Sequence, residues 1–185
     1  MMSVKNIVLL AAELVGVKEA VQEYLDGGNS AQGQRAVNGL LGCYLHVETE
    51  LAMDYFPVLC EERVTAENGE IRYESLGRRV ARVLALLDKD GNEAEMKIFP
   101  AYLFVKSGTY TLRYAALPNE KTIDDEAECG VGVSEQLMAY GIAAEYCLLK
   151  GLYEEHAAWE KKYKHAVAST YRLRGGKRMK AREWV

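Results

Sequence analysis

Between Leu137 and Leu149 the chain carries one charge, Glu145, among Leu, Met, Ala, Tyr, Gly, Ile and Cys. A helix that is apolar on nearly every side is a buried helix. After Gly151, which suits the left-handed turn that ends a helix, the pattern changes. Leu152, His156, Trp159, Tyr163, Val167 and Thr170 recur at spacings of three and four, with Glu154, Glu155, Lys161, Lys162 and Lys164 off that stripe. This predicts an amphipathic helix with one face on a core. Glu160 and Lys164 form an i,i+4 pair on its wet side. Helices over 134–150 and 152–171 make a helical hairpin.

The N-terminal region repeats the helical period. Ser3 is placed as an N-cap, and Ile7, Leu10, Ala11, Leu14, Val17, Val21 and Tyr24 keep helical spacing until Asp26-Gly27-Gly28 stops the run. Ser30 then caps a second helix with apolar positions at Val37, Leu40, Leu41, Tyr44, Val47 and Leu51, closed by Pro57. Gly39 and Gly42 lie inside it. Each costs about 1 kcal/mol against Ala, so both are expected to mark close contact with another helix. The two helices, 4–26 and 31–55, make a first hairpin.

The middle of the chain switches to a period of two. Val58 to Thr65 reads as a strand, Asn68-Gly69 as a type I′ turn, and Ile71 and Tyr73 alternate with charged residues. Val80 to Leu87 is a second apolar run, ended by Asp88-Lys-Asp-Gly91. Met96 and Ile98 alternate with Glu95 and Lys97 before Pro100. Tyr102 to Val105 reads as a further strand. Beyond Ser107-Gly108, the residues Tyr110, Leu112 and Tyr114 share a face, and Leu117-Pro118 ends the run. Short strands joined by tight turns predict an antiparallel meander over 58–115. Residues 119–132 are acidic and irregular, and Thr122 to Asp125 reads as the opening of a short helical turn.

The fold class is therefore α+β: a helical bundle formed by N- and C-terminal helical hairpins, with an inserted antiparallel β meander. Residues 1–171 read as a single domain. At 185 residues such a chain buries enough surface to fold without a staple. Cys43, Cys60, Cys129 and Cys147 are far apart and form no CxxC pair, so they read as reduced residues of a cytosolic protein. No apolar run reaches the ~20 residues needed to span a bilayer, and the Val4 to Val17 stretch lacks the basic start of a signal peptide.

Charge is distributed unevenly. Residues 172–185 hold six basic residues against Glu183, a net of +5, which leaves −9 on residues 1–171 of the total of −4. A basic segment on an acidic body reads as a docking arm for an acidic protein surface or nucleic acid, beside the plain alternative of a solvated tail. Its candidate partner-binding residues are Arg172, Arg174, Lys177, Arg178, Lys180, Arg182, Trp184 and Val185. Gly175 and Gly176 supply flexibility, and Trp and Arg are favoured interface anchors.

Catalytic patterns are weak by comparison. Gly130-Val-Gly132-Val-Ser134 precedes a helix but lacks the lysine of a phosphate loop and the third glycine of a dinucleotide fingerprint. It reads as a lead into the helix. Cys43 and His46 are three apart, but no second pair completes a zinc site, and no base and orienting group completes a thiol site. His156, on the apolar stripe, reads as a hydrogen-bonded core histidine, and His165 as surface. Glu145 needs a partner if it is buried. Asp124, Asp125, Glu126 and Glu128 lack the spacing of a calcium loop. No catalytic residue, cofactor or metal is expected.

Several stretches resemble the head–tail adaptors, or connectors, of tailed bacteriophages. The resemblance covers most of the chain. It rests on Leu51-Ala-Met-Asp-Tyr-Phe-Pro57, Gly108-Thr-Tyr-Thr-Leu-Arg-Tyr114 leading to Pro118, Ala139-Tyr-Gly-Ile-Ala-Ala-Glu-Tyr-Cys147, Gly151-Leu-Tyr-Glu-Glu155 with Trp159 and Tyr163, and Arg182-Glu-Trp-Val185. It implies a helical bundle with a β insertion that assembles as a ring beneath the portal protein and docks through its C-terminal tail. Arg182, Trp184 and Val185 would then be portal-docking residues. The implied partners are the portal and other head–tail proteins, with DNA passing through unbound and no membrane. The implied location is the virion neck, after a period in the host cytoplasm. Two other readings stand beside it. One is a helical-hairpin interaction module, because Tyr146, Gly151, Tyr153, Ala157, Trp159 and Tyr163 are weakly similar to a tetratricopeptide hairpin, although arrays need about three such units. The other is a small enzyme with an unrecognised site.

Overall fold

A computed structural model of the chain describes residues 2–130 and 132–174, and side chains as far as residue 172. Within these residues the protein is mixed α and β, with five α-helices and two three-stranded antiparallel sheets. The helices are α1 (Val4–Leu14), α2 (Lys18–Leu25), α3 (Ala31–Glu50), α4 (Glu135–Leu149) and α5 (Tyr153–Arg174). The strands are β1 (Val58–Ala66), β2 (Glu70–Arg72), β3 (Val80–Leu87), β4 (Lys97–Ile98), β5 (Tyr102–Phe104) and β6 (Gly108–Ala116). The chain divides into two compact units. One is Lys5–Tyr44 with Gly132–Val185, and the other is Met1–Val4 with Leu45–Val131.

The first unit is helical. The stretch expected to be one helix over 4–26 is two, because Gly16 sits at φ +72. Its N–H bonds Glu13 O at 3.3 Å while Val17 N–H bonds Ala12 O at 2.9 Å. That bond pair around a left-handed residue is a Schellman ending. The same device ends α2 at Gly27, and it ends α4 at Gly151, where Leu152 N–H reaches Cys147 O at 2.9 Å and Gly151 N–H reaches Leu148 O at 3.0 Å. Ser30 Oγ accepts the Gly33 N–H at 3.2 Å, the cap expected there, and Ser134 Oγ caps α4 by accepting the Leu137 N–H at 3.2 Å.

α4 is buried almost throughout, from Leu137 to Cys147, as its all-round apolar pattern requires. α5 returns antiparallel to it. His156 Nδ1–H donates to Ala144 O at 2.9 Å, and the Tyr140 and Trp159 rings stack at 5.8 Å. Tyr163 and Val167 are buried on the same stripe. α5 continues to Arg174, past the expected end at residue 171. Gly39 is a close-contact glycine: a Cβ there would lie 3.1 Å from the Tyr146 ring. Gly42 is not, because it is exposed with open space around it. Gly33, which the sequence pattern did not single out, is the tightest point. A Cβ there would meet Ala20 O at 2.4 Å and Tyr24 Cβ at 2.8 Å.

The second unit is the β unit. α3 ends in a π-helical turn, Leu51–Tyr55, that delivers the buried Phe56 ahead of Pro57. Asn68 and Gly69 both have positive φ, 53° and 85°, as a type I′ turn demands. The strand arrangement, however, is not a meander. The sheet orders are β1-β6-β3 and β2-β5-β4. β6 lies between β1 and β3, with Leu112 opposite both Glu62 and Leu86. Of strands consecutive in sequence, β4 and β5 pair; the others are separated because the chain changes sheet after β1, β2, β3 and β5. The sheets share one core. Ala66, Ile71, Leu86, Leu103, Val105, Leu112, Tyr114 and Ala116 form a single buried cluster drawn from both. A β6 strand that is apolar on its inner face and central in its sheet is therefore the spine of this unit.

Candidate functional site

The residues nominated for docking are only partly within view. Arg172 is exposed on α5, and Arg174 is the last described residue of that helix. Both are helical and not part of a flexible arm. Lys177, Arg178, Lys180, Arg182, Trp184 and Val185 lie outside the described residues.

At the other end of α5 is an apolar surface that the sequence pattern places in the core. Leu148 and Leu152 are 43% and 45% exposed, Leu149 is 64% exposed and Tyr153 is 70% exposed. All four belong to the turn between α4 and α5. The Schellman turn forces this exposure: it directs the chain out and back within three residues, Lys150, Gly151 and Leu152. Exposed apolar side chains gathered at one turn make it a candidate interaction surface. Leu152 was expected to begin the buried stripe of α5, but the stripe begins at His156.

The β unit holds the densest polar chemistry. Glu128, in the acidic linker, accepts a hydrogen bond from Arg78 Nη2 and one from Lys121 Nζ at 2.6 Å. Its own N–H donates to Glu48 Oε1 at 2.7 Å. Glu48 is 1% exposed and lies on the last turns of α3. Burial acts to raise the Glu128 carboxyl, but the bonds from Lys121 and Arg78 outweigh it and hold the group below the usual carboxylate range. The linker is tied to the N-terminus as well, through Val4 N–H to Asp125 O at 3.0 Å and Ala127 N–H to Met2 O at 2.8 Å. Thr122 to Asp125 forms a turn and not a helix. Asp125 Oδ2 takes the Thr122 N–H and hydroxyl at 2.6 and 2.7 Å, the half of a capping box that the sequence shows. A second buried contact joins the sheets' core to a charge: Tyr114 donates to Glu62, which also takes the Gly77 N–H at 3.0 Å. Burial, then that carboxylate, raise the Tyr114 hydroxyl far above its ordinary value.

Sequence reasoning missed both contacts, although the sequence contains their signal. Glu48 occupies an apolar-stripe position between Tyr44 and Leu51, and Glu62 occupies an inward β1 position between Cys60 and Val64. A carboxylate on an inward position announces a buried partner.

None of these groups is arranged as a nucleophile with its base. Burial and then Glu145 push the Cys43 thiol up to about 11, and burial with Glu48 and Glu128 pushes Cys129 up to about 12. Thiols held protonated are poor nucleophiles. Cys43 is buried whereas His46, three residues on, is exposed, so the pair shares no site. Glu145 is half-buried. Among the described residues no three His, Cys, Asp or Glu side chains are grouped to hold a metal ion, and no helix is long and apolar enough to cross a membrane. The sequence matches no protein-family model, and a search of curated proteins finds no match.

Proposed function

We propose that this protein is a structural assembly protein of the tailed-phage head–tail adaptor kind, whose helical hairpins form a bundle and whose role is docking, not turnover. The observation that carries the reading is the pairing of two adhesive features at the ends of one helix. α5 begins at the exposed apolar turn of Leu148, Leu149, Leu152 and Tyr153 and ends at the basic segment that starts with Arg172. A helix of 22 residues holds them about 33 Å apart. Two different adhesive surfaces on one chain suit head-to-tail contacts, which close into rings when the rotation permits. The order of helices, sheets, acidic linker, helical hairpin and basic aromatic tail supports the same reading. In it, copies associate through the body, while the arm docks on a portal ring with its cations steering and Trp184 anchoring.

Light scattering on the full chain, alone and mixed with a portal ring, tests this. The expected result is either a ring or a monomer recruited into a large complex. Recruitment should be lost when residues 175–185 are removed. A monomer that ignores the portal with or without those residues would overturn the proposal.

A further inference from the structure

The helical unit contains a concavity of about 650 Å³ whose chemistry is unlike that of the protein around it. Its walls are mostly apolar, with Val15 and Val17 from the α1–α2 turn, Ala20 from α2, Ala36 from α3, the Tyr146 ring from α4, and Leu152 beyond the α4 end, and one neutral polar side chain, Gln32 of α3. The charged groups at its rim are both cations, Arg35 and Lys150. Both are exposed, and neither takes part in an ion pair among the described residues. The neighbouring cation Lys18, by contrast, is committed to Glu13 at 2.6 Å. Lys150 Nζ stands 5.1 Å from the centre of the Tyr146 ring, so the cation is held over the wall and not swung into solvent. On a chain of net charge −4, two uncommitted cations over an apolar trough are a local inversion of sign.

We propose that this groove is a docking site for an acidic, apolar peptide segment of a partner protein, in which a carboxylate lies beside one or two large apolar side chains. Charge selects the occupant. The apolar side chains would seat between Val17, Ala36 and Leu152, and the carboxylate would meet Arg35 and Lys150. The chain's own segment 175–185 has the wrong sign for this role: it carries Lys177, Arg178, Lys180 and Arg182 against Glu183 alone. The exposed Leu149 and Tyr153 flank Leu152 and extend the apolar area a partner can cover. This inference shares the turn of Leu149, Leu152 and Tyr153 with the adaptor reading, but it needs no portal, and peptide binding to the full chain alone is read separately from recruitment to a portal ring.

The test is fluorescence anisotropy with the full chain and a short labelled peptide of pattern Glu-Leu-Phe-Glu. Two control peptides replace the glutamates by lysine or the Leu-Phe pair by serine. The glutamate peptide is expected to bind and both controls to fail. Arg35→Glu combined with Lys150→Glu should weaken binding by about tenfold or more, and Leu152→Ser should weaken it as well. Both charge reversals are at exposed positions, so the variants should keep the circular dichroism spectrum and melting temperature of the parent. Absence of binding, equal binding of the glutamate and lysine peptides, or unchanged affinity in the folded double variant would each overturn the proposal. Preferential binding of the lysine peptide would overturn it in favour of a basic segment as occupant.

Discussion

At the scale of single residues, stability is concentrated at carboxylates on which several donors converge. Glu128 is the clearest case, since Arg78 and Lys121 converge on it. Hydrogen bonds to a charged group contribute about 1.5–3 kcal/mol, and the Glu128 side chain is 24% exposed, so screening reduces the upper end. Glu128→Gln should destabilise the fold by about 2 kcal/mol in urea titrations near neutral pH. The pH dependence has a definite sign. The folded-state pKa lies below the unfolded value, so the unfolded chain binds more protons in the window between them. The stabilisation is complete above about pH 4.3, the ordinary glutamate value, and falls away as pH drops through the folded value. The gap between parent and Glu128→Gln should therefore narrow on titration from pH 7 to about pH 3. A gap that stays constant would assign the loss to packing and not to the charge. Tyr114→Phe should cost about 1–2 kcal/mol, because it leaves Glu62 with the Gly77 N–H but without the buried hydroxyl.

At the scale of elements, α3 gives a direct comparison between two glycines in one helix. Gly42 is exposed, and a methyl group added there would have nothing within 4 Å, so Gly42→Ala should gain about 0.5–1 kcal/mol from helix propensity alone. Gly33→Ala gains the same propensity but drives a methyl group against a backbone carbonyl. Overpacking typically costs about 1–3 kcal/mol, and a carbonyl cannot rotate aside, so the net effect should be destabilising. Thermal melts of the two variants should move in opposite directions. The comparison also shows what periodicity does and does not reveal. Spacing located the helical segments, reading α1 and α2 as one, and the runs that form strands, because burial is a one-dimensional signal along a chain. It did not identify which glycine touches a neighbour, since Gly33, Gly39 and Gly42 look alike in sequence. It read across Gly16, because the apolar period of α1 and α2 continues through the break. It also assumed that strands neighbouring in sequence pair. Alternation specifies which side of a strand faces inward, not which strand lies beside it, and the central place of β6 follows from a core shared by two sheets. Of the docking surfaces, the basic segment was visible as charge. The apolar turn was hidden because Leu148, Leu149 and Leu152 continue the pattern of a buried helix.

At the scale of the whole molecule, the charge asymmetry and the terminal aromatic make separable claims about rate and lifetime. Residues 175–185 carry a net +3, with four basic residues against Glu183. Cations on a short segment speed encounter with an acidic surface, and that effect is screened over about 10 Å at 0.1 M salt. A large aromatic seated in a partner acts after encounter, on dissociation. If the arm works as proposed, raising salt from about 0.05 to 0.5 M should slow association with the portal by about tenfold and leave dissociation nearly unchanged. Trp184→Ala should do the reverse, speeding dissociation by about tenfold or more with little change in association. Surface plasmon resonance on an immobilised portal ring reads both rates. Because α5 is described through Arg174, truncation after that residue keeps all of the described helix, and it should leave the melting temperature unchanged while abolishing the signal. Truncation after residue 171 also removes the last turn of α5, so a loss of stability there would report on the helix alone. If salt and Trp184→Ala instead altered the same rate constant, steering and anchoring would not be separate functions of the segment, and the division of labour drawn from its charge and its aromatic would fail.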